Sequence, residues 1–119
     1  MISPEKITGS FVPVVDPAVV AVELDGESVL YHETAKTVHV LNMTATLIWR
    51  CLDGRTTLDT LSGELASVFA APAEQVGGDV VTAVREFGRQ GLLFEVESDP
   101  ETVAVNIVVP PELGEGPGD

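Results

Sequence analysis

Few side chains in this sequence have the types and spacing that chemistry requires. His32 and His39 lie on two predicted strands separated by one turn, so they could face each other and bind a metal. A third ligand does not follow from the pattern, because Glu33 points to the opposite face of its strand and no HxH or HExxH spacing occurs. We therefore expect two partly exposed strand histidines and no metal site.

The candidate nucleophiles are equally isolated. Cys51 is the single cysteine, which excludes an internal disulfide, and its place on an apolar helix face predicts a buried, inert thiol. No serine lies in a GxSxG motif. Gly77-Gly78 lacks the spacing and the following lysine of a phosphate-binding loop. These patterns predict a protein that is not an enzyme and that needs no cofactor.

The charge of the chain argues against nucleic acid as a partner. The formal net charge is −13, from 19 acidic and 6 basic residues, and no base follows Glu95. Acidic surfaces repel phosphate backbones, whereas nucleic-acid-binding domains usually carry a basic stripe. The N-terminal residues lack the apolar segment of a secretory signal, and no run approaches the roughly 20 apolar residues of a membrane span. We expect a cytoplasmic protein without a membrane partner.

The apolar pattern predicts a meander of three strands. Two β-prone runs, Val19 to Leu24 and Glu27 to Glu33, are joined by Asp25-Gly26, which is a strong signal for a two-residue hairpin. Thr37 to Leu41 follows as the third strand. If spatial order follows sequence order, this third strand leaves one edge of the sheet unpaired.

Three helices are predicted after the strands. The first runs from Asn42, a good N-cap, to Asp53-Gly54. The second begins at a capping threonine, Thr56 or Thr57, and carries one apolar stripe. In the third, Gly77-Gly78 is expected to delay regular helix until near Asp79. The predicted organisation is an N-terminal arm (1–18), a domain (19–97) and an acidic C-terminal extension (98–119) with a possible strand at 103–109.

This arrangement resembles the PqqD-like family, the peptide-recognition elements of pathways that make modified peptides from ribosomal precursors. The matching motifs, in order, are Leu41-Asn42, Ile48-Trp49, Asp53-Gly54, Leu61 through Leu65, Asp79-Val80 and Gly91-Leu92-Leu93. Together they cover Val19 to Glu97. The resemblance implies an α+β, winged-helix-like fold in which a three-stranded antiparallel sheet is followed by three helices.

The resemblance also implies a function. Such domains bind the leader region of a precursor peptide as an added strand, between the third strand and the third helix. They deliver it to a modifying enzyme such as a radical SAM protein, a cyclodehydratase or a leader peptidase. Carried onto this sequence, the peptide-binding residues are Val38, His39, Val40 and Leu41 on the strand and Val80, Val81, Val84, Arg85 and Gly88 on the helix. Arg85 is either a polar anchor for a leader carboxylate or a solvated helix arginine.

Three alternatives remain open at this stage. A winged-helix DNA-binding regulatory domain has the same architecture, although the acidic charge disfavours it. The chain's own strand at 103–109 would cover the edge of the third strand if it folded back as an occluding pseudo-leader. The same edge would also allow two copies to pair as a homodimer.

Overall fold

The computed structural model describes residues 1–98 and 106–107 of the 119-residue chain. The strands are β1 (Val19–Leu24), β2 (Glu27–His32), β3 (Thr37–Leu41) and β4 (Asn106–Ile107), and the helices are α1 (Met43–Arg50), α2 (Leu58–Phe69) and α3 (Ala73–Arg89). The first three strands pair antiparallel in the order β1-β2-β3. The expected α+β class is confirmed, with a three-stranded antiparallel sheet followed by three helices; winged-helix-like describes it only loosely.

The turns that shape the meander follow from residues that accept positive φ. Asp25 and Gly26 have φ of 52° and 84°, the signature of the two-residue turn that matches strand twist. The second turn ends at Lys36, whose φ is 61° and whose N–H donates to the His32 carbonyl oxygen at 2.8 Å. These turns fix the register in which Leu30 lies opposite His39.

Both histidines are buried, so the expectation of partly exposed strand histidines was wrong. The period of two in a strand places His32 and His39 on the inner face of the sheet with the buried Leu30. The N–H of Ala35 donates to His32 Nδ1 at 3.1 Å, and His39 Nε2 lies 3.0 Å from the Thr37 hydroxyl. Among the described residues, no group of three His, Cys, Asp or Glu side chains is placed to hold a metal ion.

The first helix ends earlier than its sequence suggests. Asn42 caps α1 as expected, because its side-chain oxygen accepts the N–H of Ala45 at 2.9 Å. The helix stops at Arg50, with Cys51 as its C-cap, and does not continue to Asp53-Gly54. Instead, the Asp53 carboxylate accepts hydrogen bonds from the N–H groups of Arg55 and Thr56 in the turn after the helix.

The third helix is longer than predicted. It starts at Ala73 and continues through Gly77-Gly78, so the expected delay to Asp79 was wrong. Each glycine lowers helix stability by about 1 kcal/mol relative to alanine. Val76 and Val80 on the same helix are fully buried, and packing of an apolar face supplies most helix stability in a folded protein.

The core joins the helices to the sheet and to the N-terminal arm. Trp49 of α1 and Phe87 of α3 meet edge to face, with ring centroids 5.2 Å apart at an interplanar angle of 87°. Ile7, from the arm, is fully buried. Farther along, Val15 forms an antiparallel bridge with Leu93, so the arm and the segment after α3 lie together.

Candidate functional site

The backbone of the central strand β2 determines which residues of β3 face outward. In an antiparallel sheet, successive residues of a central strand direct their N–H and C=O groups to alternate neighbours. Glu33 N–H donates to the Ala18 carbonyl oxygen at 2.9 Å, so the odd-numbered residues of β2 bond to β1. The even-numbered residues therefore bond to β3, where Leu30 pairs with His39.

The same alternation leaves Val38 and Val40 as the outward-facing residues of β3. Their N–H and C=O groups point away from β2, toward the outer edge of the sheet. Their side chains lie on the outer face, where Val38 is 45% exposed, while His39 and Leu41 are fully buried on the inner face. Of the strand residues predicted to bind a peptide, Val38 and Val40 offer backbone groups, whereas His39 bonds within the sheet.

Part of this edge is occupied by the chain's own C-terminal segment. Strand β4 pairs in parallel with β3, with Val40 opposite Asn106 and Leu41 opposite Ile107. Within residues 1–98 and 106–107, no strand pairs with Val38 at the outer edge. The rest of the strand predicted at 103–109 lies outside the described residues.

A cavity of about 540 Å³ lies between the start of β3 and the C-terminal end of α3. Its wall includes Thr37 of β3, Gln90 after α3, and the apolar pair Leu93 and Phe94. Leu93 is buried, whereas Phe94 is 47% exposed. The cavity therefore offers mainly apolar surface beside the strand edge.

The predicted helix residues do not line this cavity. Val80 and Val84 are fully buried in the core. Val81 and Arg85 lie on another face of α3 and line a separate, open concavity of about 680 Å³ between α2 and α3. The Nε and Nη2 groups of Arg85 donate to the Ile7 carbonyl oxygen at 3.1 and 2.9 Å, so this side chain holds the N-terminal arm.

Gly88 also contacts the arm rather than an open groove. A Cβ built on this glycine would lie 3.6 Å from Ile7 Cδ1 and 2.7 Å from Val96 Cγ1. At the next residue, Arg89 Nη2 lies 3.9 Å from the Glu5 carboxylate. No periodic pattern predicts this packing, because Ile7 is a single apolar residue among polar ones.

Among the described residues, Cys51 and Asp53 have shifted pKa values. Cys51 is half-buried, so the prediction of a buried thiol was wrong. This partial burial raises the pKa of the Cys51 thiol, and the nearby Glu64 carboxylate raises it further. The Asp53 pKa is lowered, because its Oδ1 accepts the backbone N–H of Arg55 at 2.8 Å and of Thr56 at 2.9 Å, and its Oδ2 accepts the Thr56 hydroxyl at 2.9 Å. Neither group lines the cavity beside β3. Throughout the described ranges, every helix is too short or too polar to cross a bilayer.

Comparison with known proteins identifies the family. Residues 27–93 match the family model described as coenzyme PQQ synthesis protein D (PqqD). A solved structure, TbiB1 in complex with the TbiA(beta) leader peptide, superposes with a TM-score of 0.63 at 22% sequence identity, covering 69% of this chain and 95% of that chain. At this identity the likeness shows a shared fold. No curated protein matches the chain. Because the matched segment includes β2, β3 and all three helices and spans more than half of the 119 residues, the chain belongs to the PqqD family.

Proposed function

We propose that this protein is a non-catalytic module that binds the leader region of a ribosomally synthesised precursor peptide and delivers it to a modifying enzyme. The observation that carries the proposal is the outer edge of β3, where Val38 and Val40 direct their N–H and C=O groups away from β2. Within the described residues β4 lies opposite Val40, and no strand lies opposite Val38 on this edge. Membership in the PqqD family supports it. The similarity to TbiB1, which was solved with a leader peptide, supports it as well.

Strand addition gives this edge a way to recognise a peptide. A guest strand would bond to Val38 and Val40, and these main-chain bonds supply affinity without demanding a particular sequence. Alternate side chains of the guest would point to the inner face of the sheet. There the cavity beside Thr37 and Leu93 would take an apolar side chain, which adds selectivity.

The residues of the proposed site divide into two roles. Val38 and Val40 bond to the guest, while His39 and Leu41 hold β3 to β2 and to the core. On α3, Val80, Val84 and Gly88 position the helix through buried contacts. Val81 and Arg85 face the concavity between α2 and α3, and Arg85 contributes by fixing the arm.

The partner enzyme is proposed from the family resemblance alone. A radical SAM protein, a cyclodehydratase or a leader peptidase would each act on a precursor presented in this way, and we place the step in the cytoplasm. No observation favours the alternative of a DNA-binding regulatory domain. The net charge of −13 opposes it.

Peptide binding can be tested without knowing the product. Synthetic peptides from short reading frames beside the gene would be labelled and titrated with the protein by fluorescence anisotropy. Val38→Pro removes the outward N–H and leaves the bonds between β2 and β3 intact, because those use neighbouring residues. We expect saturable binding that weakens about tenfold or more in Val38→Pro, since two or more bonds of about 1 kcal/mol each are lost or distorted.

The matched control is Val38→Ala, which keeps the N–H and changes only the exposed side chain. Circular dichroism and the fluorescence of buried Trp49 report whether each variant is folded. If a folded Val38→Pro protein binds as tightly as Val38→Ala, the guest does not add to this edge. If no neighbouring peptide binds the wild type, the function itself is rejected.

A further inference from the structure

We infer that the segment containing β4 is an internal competitor for the peptide site, so that a guest must displace it to pair along β3. This inference rests on the proposed function and adds a form of regulation to the same site. Its basis is the register in which Val40 lies opposite Asn106 and Leu41 opposite Ile107.

The competition follows from shared backbone groups. Val40 is one of the two β3 residues whose N–H and C=O point to the outer edge. In a parallel ladder, a residue bonds to the two neighbours of its partner, which directs the Ile107 N–H at the Val40 carbonyl. Each edge of a strand can hold one neighbour, so a guest paired at Val40 and β4 paired at Val40 exclude each other.

The pairing of β4 with β3 is weak enough for β4 to dissociate reversibly. Within the described part of the chain β4 lies opposite Val40 and Leu41 of β3, whereas β2 pairs with all five residues of that strand. Parallel pairs are also slightly less stable per residue than antiparallel ones. Among the residues whose side chains the structure describes, the core cluster runs from Ile7 to Val96, and we infer that this core stays folded when β4 leaves.

The consequence is a threshold for binding. When the competent state is only partly populated, the apparent dissociation constant rises in inverse proportion to that population. A β4 segment that is closed 90% of the time would therefore weaken every guest about tenfold. Peptides that pair poorly would fail to open the edge, while a well-matched leader would succeed.

The test uses the full chain with a substitution in β4. Ile107→Pro removes the N–H that bonds to Val40, and the control Ile107→Ala keeps it. The probe is a fluorescein-labelled synthetic peptide with the sequence of residues 100–112, added in trans. We expect it to bind Ile107→Pro about fivefold or more tightly than it binds the wild type or Ile107→Ala, because the cis segment no longer competes.

Two further measurements locate the effect. Amide hydrogen exchange at Val40 should be faster in Ile107→Pro than in Ile107→Ala, because release of β4 exposes the outward Val40 N–H to solvent. Adding Val40→Pro to Ile107→Pro should abolish binding of the probe, since the outward donor is lost. Equal probe affinity across the wild type and both Ile107 variants, or unchanged exchange at Val40, would overturn the inference.

The outcomes separate this inference from the proposed function. A precursor peptide that binds Ile107→Pro and Ile107→Ala equally leaves the function standing and rejects the competition. A second outcome is that the 100–112 probe discriminates between the two variants while no precursor peptide binds any of them. That result supports β4 as a ligand of the edge and rejects the function.

Discussion

Gly88 lies so close to Val96 that a Cβ at position 88 would stand 2.7 Å from Val96 Cγ1. This approach lets the segment after α3 pack against the helix, where Ile7 also inserts. Because Val96 also lines the cavity beside β3, its contact with Gly88 positions one wall of the candidate site.

Substituting this glycine should be destabilising. We expect Gly88→Ala to lower the free energy of unfolding by about 1–3 kcal/mol, because overpacking forces Val96 and the helix apart. The matched control is Gly78→Ala on the same helix, where nothing lies within 4 Å of the added Cβ. That change should raise stability by about 0.5–1 kcal/mol through helix propensity. Urea unfolding of both variants measures the difference, and equal stability would contradict the packing at Gly88.

Removing the cap of α1 should loosen the junction between β3 and the first helix. Asn42→Ala deletes the side-chain acceptor for the Ala45 N–H and should lower the unfolding free energy by about 1 kcal/mol. Asn42→Asp keeps an acceptor and serves as the control. Thermal unfolding followed by circular dichroism reports both. A loss in Asn42→Asp as large as that in Asn42→Ala would show that the cap is not the cause.

The turn at Asp53 should make stability depend on acid pH. The folded-state pKa of this carboxyl is lowered by hydrogen bonds from Arg55 and Thr56, so its contribution is complete above the ordinary aspartate pKa and disappears as the pH falls through the lowered value. We expect the stability difference between the wild type and Asp53→Asn to be largest at neutral pH and to shrink on acidification. Urea titrations from pH 7 downward measure it. A difference that stays constant with pH would contradict the role of the ionised carboxylate.

The thiol of Cys51 should react slowly. Burial, helped by Glu64, raises its pKa, so less thiolate is present near pH 8 than in an exposed cysteine. We expect iodoacetamide to modify the folded protein more slowly than the urea-unfolded protein at pH 8, with the folded rate increasing as the pH rises further. Mass spectrometry follows the modification. Equal rates in the folded and unfolded states would show that partial burial does not raise the pKa of the Cys51 thiol.

Local signals in the sequence were sufficient for the strands and for the first cap. Asp25-Gly26 specified a turn by backbone conformation, and Asn42 specified a helix start by a single hydrogen bond. The prediction left the histidines partly exposed because it did not use the alternation of side chains between the two faces of a strand. Leu30 lies opposite His39, so this apolar side chain marks the buried face of both strands. Long-range packing of Ile7 left no local pattern at all.

The sequence predicted the strand side of the candidate site but not its helix side. Strand order predicted that β3 lies beside an open edge, but the prediction took Val38 to Leu41 together and did not separate the outward-facing Val38 and Val40 from their neighbours. The helix side depended on how α3 is rotated about its axis. Its face bearing Val81 and Arg85 lies against the N-terminal arm and α2, which periodicity within α3 could not distinguish from a face toward β3.

Arg85 either holds the N-terminal arm or binds the guest peptide directly, and a substitution can distinguish these two roles. Because its guanidinium donates twice to the Ile7 carbonyl, we expect Arg85→Ala to lower the unfolding free energy by about 1–3 kcal/mol while changing guest affinity less than about twofold. Arg55→Ala, at an exposed position, removes the same charge and should affect neither quantity. Urea unfolding and peptide titration are measured on both variants at the same ionic strength, so that any long-range charge effect is common to them.

A tenfold loss of guest affinity in Arg85→Ala with unchanged stability would instead make this arginine a direct anchor for a leader carboxylate. In that case the guest would have to reach the concavity between α2 and α3, and the arm would have to move to admit it.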